Sequence, residues 1–131
     1  MQDLDRGDFQ ETVSQYLVRH RSILDVLSKL QEATARVNRA IAKAVTNCGC
    51  LGISAHRQEF PDDTSFHNLK EYMDTHLNGS LCESCREIIE TEIGQCFFYM
   101  AALCGLLDLK MDDILDSERD RLSTLGLYNL T

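Results

Sequence analysis

The stretch that decides the fold is DFQETVSQYLVRHRSILDVLSKLQEATARVNRAIAKAVT, residues 8–46, which contains neither glycine nor proline. Mostly apolar side chains recur along it in alternating steps of four and three residues, the spacing of a helix buried along one stripe. These positions are Phe9, Val13, Tyr16, His20, Ile23, Leu27, Leu30, Thr34, Val37, Ile41 and Ala44. An unbroken helix over this range would be about 55 Å long. We therefore expect it to bend or split near His20–Ser22, or to pack its ends on a second subunit.

Three further helices are predicted downstream, over Phe66 to about Leu77, roughly Ser84 to Leu107, and Met111 to about Leu122. Asn78-Gly79 would stop the first of these, because both residues tolerate positive φ. The second half of the middle helix, CFFYMAALCGLL, is apolar nearly all round, which predicts a central, surrounded position. The segment at about 47–66 is predicted to be a cysteine-bearing loop.

Together these patterns predict an all-α protein, a helical bundle built on one long N-terminal helix and a buried central helix. We expect a single domain over residues 1–131, since this length suits one hydrophobic core. The long seam, which is the row of mostly apolar positions from Phe9 to Ala44, and the central helix carry more apolar surface than one small bundle easily covers. A homodimer is therefore the expected assembly.

Composition excludes several classes of function. The net charge of −8 and the pI of about 4.8 argue against nucleic-acid binding, which requires clustered Lys and Arg. No window approaches the roughly 20 apolar residues of a membrane span, so no membrane association is expected. Residues 1–10 are polar and acidic, unlike a secretory signal. With six cysteines, this predicts a reducing, cytoplasmic setting.

Two close cysteine pairs form the strongest motif, Cys48 and Cys50 in NCGCLGIS and Cys82 and Cys85 in LCESCREI. C-x-C and C-x₂-C spacings each let one short turn present two sulfurs to one ion. We therefore predict a four-cysteine metal site, with zinc ahead of an iron–sulfur cluster. A reversible disulfide and inert packing are the alternatives, and His56, His67 or His76 could replace one sulfur. Cys96 and Cys104 are read as small buried hydrophobes.

The sequence EIIETEIGQCFFYMAALCGLLDLKMDDIL, residues 87–115, carries a second pattern. It resembles the second half of MazG-like proteins, the all-α nucleoside triphosphate pyrophosphohydrolase superfamily. That family has E-E-L-G-D, then a helix rich in Phe, Leu and Tyr, then L-G-I-D-L-E-E. The likeness covers about residues 87–118 and extends more weakly to SKLQEATARVNRAI, residues 28–41.

The resemblance implies carboxylates on facing helices that bind Mg²⁺ at a nucleotide phosphate. Glu32 and Glu92 match family acids, whereas Gln31, Ala35 and Gln95 stand where the family has further acids. The favoured interpretation is a catalytically degenerate relative whose cysteine site has a structural or sensing role. A Mg²⁺-dependent nucleoside triphosphate pyrophosphohydrolase using Glu32 and Glu92 is the alternative, and a thiol redox sensor is a further one. The remaining acids of the last helix are other possible ligands or a solvated face: Asp112, Asp113, Asp116 and Glu118.

Overall fold

The computed structural model describes the backbone of residues 6–126 and the side chains of residues 9–126. This part of the chain is mostly helical, with five α-helices and a two-stranded antiparallel sheet, so the predicted helical class is confirmed. Residues 1–5 and 127–131 of the predicted domain lie outside the described residues. The first group is half of the polar segment 1–10 that was compared with a secretory signal. The elements are α1 (Arg6–Tyr16), α2 (Ile23–Lys43), β1 (Leu51–Ile53), α3 (Phe66–Tyr72), β2 (Leu77–Gly79), α4 (Glu83–Leu106) and α5 (Met111–Leu125).

The predicted long helix is divided into α1 and α2. Ser22 is the N-cap of α2, and its Oγ accepts the N–H of Leu24 at 3.3 Å. A serine at this position satisfies an N–H that the first turn of the helix leaves unpaired. The predicted split near His20–Ser22 is thus confirmed.

The core lies where α1 and α2 pack against α4. Small alanines let the helices approach closely, and Val26 has no exposed surface. The buried cluster consists of Val13, Leu17, Val26, Ala101 and Ala102, with Phe98, Leu103 and Met111 packed against it.

The buried stripe of α2 differs from the predicted seam. Val26 and Ala33 are buried, each one residue before the predicted positions Leu27 and Thr34. Leu27 is 49% exposed. Because a helix turns about 100° per residue, this shift places part of the predicted seam on the exposed side of α2.

The region after α2 contains a small sheet that the sequence did not predict. The helix α3 ends at Tyr72 instead of about Leu77, and Asn78-Gly79 belongs to β2 instead of a helix stop. In the ladder Leu51 pairs with Gly79, Gly52 with Asn78 and Ile53 with Leu77. Strands of three residues carry too little periodicity to be distinguished from a loop or a helix end.

The helices α4 and α5 lie within a few residues of their predicted bounds. The second half of α4 is not surrounded as predicted, because only one side of it packs on α1 and α2, and Phe97 and Met100 are 52% and 43% exposed. Gln10 of α1 is hydrogen-bonded to the turn between α4 and α5. Its Nε2 donates to the Leu109 carbonyl at 2.7 Å, and its Oε1 accepts the Met111 N–H at 2.8 Å. Among residues 6–126, no helix alone has the length and apolarity needed to cross a membrane. The α4–α5 pair meets those criteria jointly but is bent by 106° at its break.

Candidate metal centre

The structure brings the four predicted cysteines together. The Sγ atoms of Cys48, Cys50, Cys82 and Cys85 all lie within 4.8 Å of one another. Two segments separated by about thirty residues therefore present four sulfur atoms at one place. The arrangement is compatible with a metal site.

The first pair is positioned by the end of α2. The helix continues into a π-helical turn over Ala44–Cys48, and Gly49 then adopts a left-handed conformation with φ of 81°. The Gly49 N–H donates to the Ala44 carbonyl at 2.9 Å, and the Cys50 thiol donates to the same oxygen at 3.8 Å. Glycine suits this conformation because it has no Cβ to clash with the backbone.

The second pair is positioned by the start of α4. Cys82 is the N-cap, and its Sγ accepts the Cys85 N–H at 3.4 Å. The Cys85 N–H and thiol, followed by the Cys48 thiol, lower the pKa of Cys82 to about 7. The Cys82 sulfur in turn raises the pKa of Cys85 to about 12. Cys82 therefore becomes a thiolate, the form that binds metal, more readily than Cys85.

The spacing of the Cys48 and Cys82 sulfurs can be compared with that of a disulfide and with that of two ligands on one ion. The Sγ atoms of Cys48 and Cys82 are 3.7 Å apart, far beyond a disulfide bond of about 2.05 Å. All six cysteines are free thiols. A tetrahedral Zn²⁺ with Zn–S bonds of about 2.3 Å would hold its sulfurs about 3.8 Å apart. The separation of the Cys48 and Cys82 sulfurs is close to that edge, and the other sulfur pairs lie within 4.8 Å.

The sheet lies directly against this cluster. β1 follows Cys50 immediately, and β2 ends three residues before Cys82. Gly79 has φ of 77°, and a Cβ at this position would collide with the Cys50 carbonyl oxygen. A residue without a side chain is required there, so this glycine fixes how closely the two cysteine-bearing segments approach.

Glu32, a predicted carboxylate ligand, is already engaged in ion pairs. Its carboxylate is 3.2 Å from Lys29 Nζ and 2.6 Å from Arg36 Nη2. The Lys29 ammonium and the Arg36 guanidinium hold the pKa of Glu32 below its usual value. The half-buried Glu32 faces α4, since it lines a cleft of about 60 Å³ together with Gln95 and Tyr99.

Glu92, the second predicted carboxylate, has a buried Oε2 without a hydrogen-bond partner, as does Oδ1 of Asp112. In the described residues, ligand side chains gather in threes or more at the four cysteines and at His56, Asp74 and His76. Neither Glu32 nor Glu92 belongs to these groups. On α5, Asp116 and Glu118 pair with Arg119 and Arg121, whereas Asp113 is exposed.

The histidines do not replace a sulfur. His56 and His76 form a separate group with Asp74, and His67 is exposed on α3. The Arg57 carbonyl, then the Asp74 carboxylate, raise the pKa of His56. The sequence pattern did not single out Asp74, because eighteen residues separate it from its partner His56. Of the remaining cysteines, Cys104 is buried as predicted, whereas Cys96 is only half-buried.

A larger cavity of about 440 Å³ lies between the α1–α2 break and α4. His20 lines it, and its Nδ1 is 3.8 Å from Asp25 Oδ2. Gln95 and Tyr99 line both this cavity and the Glu32 cleft. The other lining residues are Tyr16, Leu17, Val18, Arg19 and Phe98.

Comparison with protein-family models, with curated proteins and with solved structures finds no match to this chain.

Proposed function

We propose that the chain is a catalytically degenerate MazG-like protein whose four cysteines bind one Zn²⁺ ion with a structural or sensing role. The observation that carries the zinc site is the approach of four sulfurs to within 4.8 Å of one another. Zinc fits better than an iron–sulfur cluster, because the cysteines of a cluster bind different irons and therefore lie further apart. The 3.7 Å separation of the Cys48 and Cys82 sulfurs supports a single ion.

The ion acts as a cross-link. It joins the end of the π-helical turn after α2 to the start of α4, and so closes the segment 51–81 at its base. Cross-linking such a segment removes loop entropy, and metal binding free energy then contributes directly to folding. Four protein ligands leave no open position on the ion, which is typical of structural zinc.

The MazG-like ancestry is supported by the placement of the two motif segments. Glu32 and Gln95, which come from the two stretches that resemble the family, line one cleft between α2 and α4. Loss of hydrolysis is supported by the charges in that cleft. Lys29 and Arg36 pair with the Glu32 carboxylate, and Gln95 offers no negative charge, so a Mg²⁺ ion would meet two competing cations.

One observation favours the hydrolase alternative. Glu92 has a buried carboxylate oxygen without a hydrogen-bond partner, and an unpaired buried oxygen of this kind is a suitable metal ligand. Pyrophosphate release from a panel of nucleoside triphosphates with Mg²⁺ or Mn²⁺ tests this alternative. We expect no turnover. Turnover that is lost in Glu92→Gln and kept in Glu90→Gln, an exposed neighbour on α4, would establish the enzyme.

A homodimer is part of the proposal. The open side of α4 carries Ile93, Phe97 and Met100, which are 38%, 52% and 43% exposed. Their spacing of four and three residues forms one apolar stripe on the helix. A second copy presenting the same stripe would bury it on both protomers.

Elemental analysis of the purified protein tests the zinc site. We expect about one zinc per chain in the unmodified protein and loss of that zinc in Cys82→Ser. The matched control is Cys96→Ser, which changes a half-buried cysteine outside the cluster and should keep the metal. If the purified protein contains no metal and forms a Cys48–Cys82 disulfide under mild oxidation, the zinc proposal is wrong and the thiol redox sensor is the better interpretation.

A further inference from the structure

We propose that His56, Asp74 and His76 form a second metal site, separate from the four cysteines, for a divalent transition-metal ion such as Zn²⁺. One ligand atom from each of these three side chains lies within 4.8 Å of the other two. The group is contributed by the two chain segments that flank α3.

The donor set defines the class of ion. Imidazole nitrogens with one carboxylate suit zinc and the neighbouring transition metals, whereas Mg²⁺ and Ca²⁺ prefer oxygen ligands alone. Three protein ligands leave a fourth tetrahedral position for water or an incoming ligand. This site is therefore open, in contrast to the closed four-sulfur site.

His56 is oriented as a metal ligand. Its Nδ1 donates to the Arg57 carbonyl oxygen at 3.0 Å, because a carbonyl only accepts. The other nitrogen, Nε2, donates to Asp74 Oδ2 at 2.8 Å, because a carboxylate also only accepts. A bound metal ion would take the place of this second proton. A carbonyl that fixes the tautomer while the second nitrogen faces the ion is the usual arrangement of metal-binding histidines.

Asp74 is held by its backbone. Gln58 Oε1 accepts the Asp74 N–H at 2.9 Å, and Gln58 Nε2 donates to the Asp74 carbonyl at 2.7 Å. Asp74 Oδ1 accepts the His76 N–H at 3.0 Å. These contacts fix the carboxylate and leave Oδ2 directed at His56.

His76 completes the group from the end of the sheet. Its φ is 62°, and its ring lies edge-on to that of His56 with centroids 4.7 Å apart. The His76 carbonyl accepts the Ser54 N–H at 2.9 Å, which extends the pairing of β1 with β2 by one step. The cysteines therefore lie at one end of this short sheet and the histidines at the other.

The same hydrogen bonds would also hold the segments on either side of α3 together without a metal, so the test must distinguish a structural role from metal binding. Protein already loaded at the cysteines is titrated with Zn²⁺ against a chromophoric competitor. We expect a second, weaker equivalent in the unmodified protein and its loss in His56→Gln and in Asp74→Asn. Both variants keep hydrogen-bonding groups of similar shape. Retention of the first equivalent shows that they fold.

The matched control is His67→Ala, which removes an exposed histidine on α3 and should leave both equivalents. Co²⁺ gives an independent readout, because only the cysteine-bound ion produces a thiolate charge-transfer band. Addition of the second Zn²⁺ should shift the ring NMR signals of His56 and His76 and leave those of His67 in place. The proposal would be overturned if no zinc binds beyond the cysteine-bound equivalent, or if the second equivalent survives His56→Gln.

Discussion

Gly79 is the residue whose substitution most directly tests how the cysteine cluster is assembled. Its φ is positive, and an added methyl group would collide with the Cys50 carbonyl oxygen, so there is no space for alanine. We predict that Gly79→Ala weakens zinc binding roughly tenfold or more, since strained backbone of this kind costs about 1–3 kcal/mol. Competitive metal titration measures the effect.

The matched control is Gly52→Ala on the partner strand. A Cβ at Gly52 would lie 3.6 Å from the Asn78 Cβ, an ordinary contact, and its φ is not in the left-handed region. Zinc affinity in this variant should stay near that of the unmodified protein. Equal losses in the two variants would show that any side chain in the sheet disturbs the site, and that Gly79 has no special role.

Val26 tests the core at the same scale. Val26 lies on α2, and its side chain is fully buried in the core cluster. Val26→Ala should lower the free energy of unfolding by about 2 kcal/mol, because it removes buried methyl groups and leaves a cavity. Val18→Ala, at a position 72% exposed, should change it little. Chemical denaturation of the two variants makes the comparison, and similar losses would contradict the assigned core.

At the scale of the elements, the two-stranded sheet depends on its surroundings. Each strand has only three residues, and an isolated pair of strands is marginal in water. We predict that chelation of the zinc increases amide hydrogen exchange in β1 and β2 while the α2–α4 core stays protected. Hydrogen exchange followed by mass spectrometry resolves these segments. If the exchange protection of β1 and β2 does not change, the sheet does not depend on the metal for its stability.

The helices were largely predictable from the sequence, and the sheet was not. Steps of three and four residues locate α2 because burial of a helix face repeats along many turns, and the long apolar run CFFYMAALCGLL locates α4. FHNLKEYMDTHL, residues 66–77, has the same local pattern, yet its last residues leave α3 and Leu77 pairs with Ile53. That pairing joins residues 24 positions apart, and no local pattern records it.

The same distinction applies to the candidate sites. The cysteine quartet was predictable, since each half has a recognisable spacing and thiols are few. The burial of Glu92 Oε2 and the contact of His56 with Asp74 depend on tertiary packing. The ion pairs of Glu32 with Lys29 and Arg36 are i,i+3 and i,i+4 contacts, so the sequence already contained the signal for them.

At the scale of the whole molecule, the exposed apolar stripe of α4 predicts self-association. Light scattering at micromolar concentration should give the mass of a dimer. Phe97→Glu should shift it to a monomer, because a charge would be placed in the centre of the stripe at Ile93, Phe97 and Met100. Phe66→Glu, at a phenylalanine 72% exposed on α3, should remain dimeric. If the unmodified protein is a monomer, the proposed homodimer is wrong.

The bridge made by Gln10 has a consequence for synthesis of the chain. Its two amide contacts reach Leu109 and Met111, about a hundred residues downstream. Because a ribosome releases the N-terminal side of a chain first, α1 emerges about a hundred residues before these two partners. These two hydrogen bonds of α1 therefore form only after Met111 has been synthesised, and a product terminated before Leu109 would lack both of them.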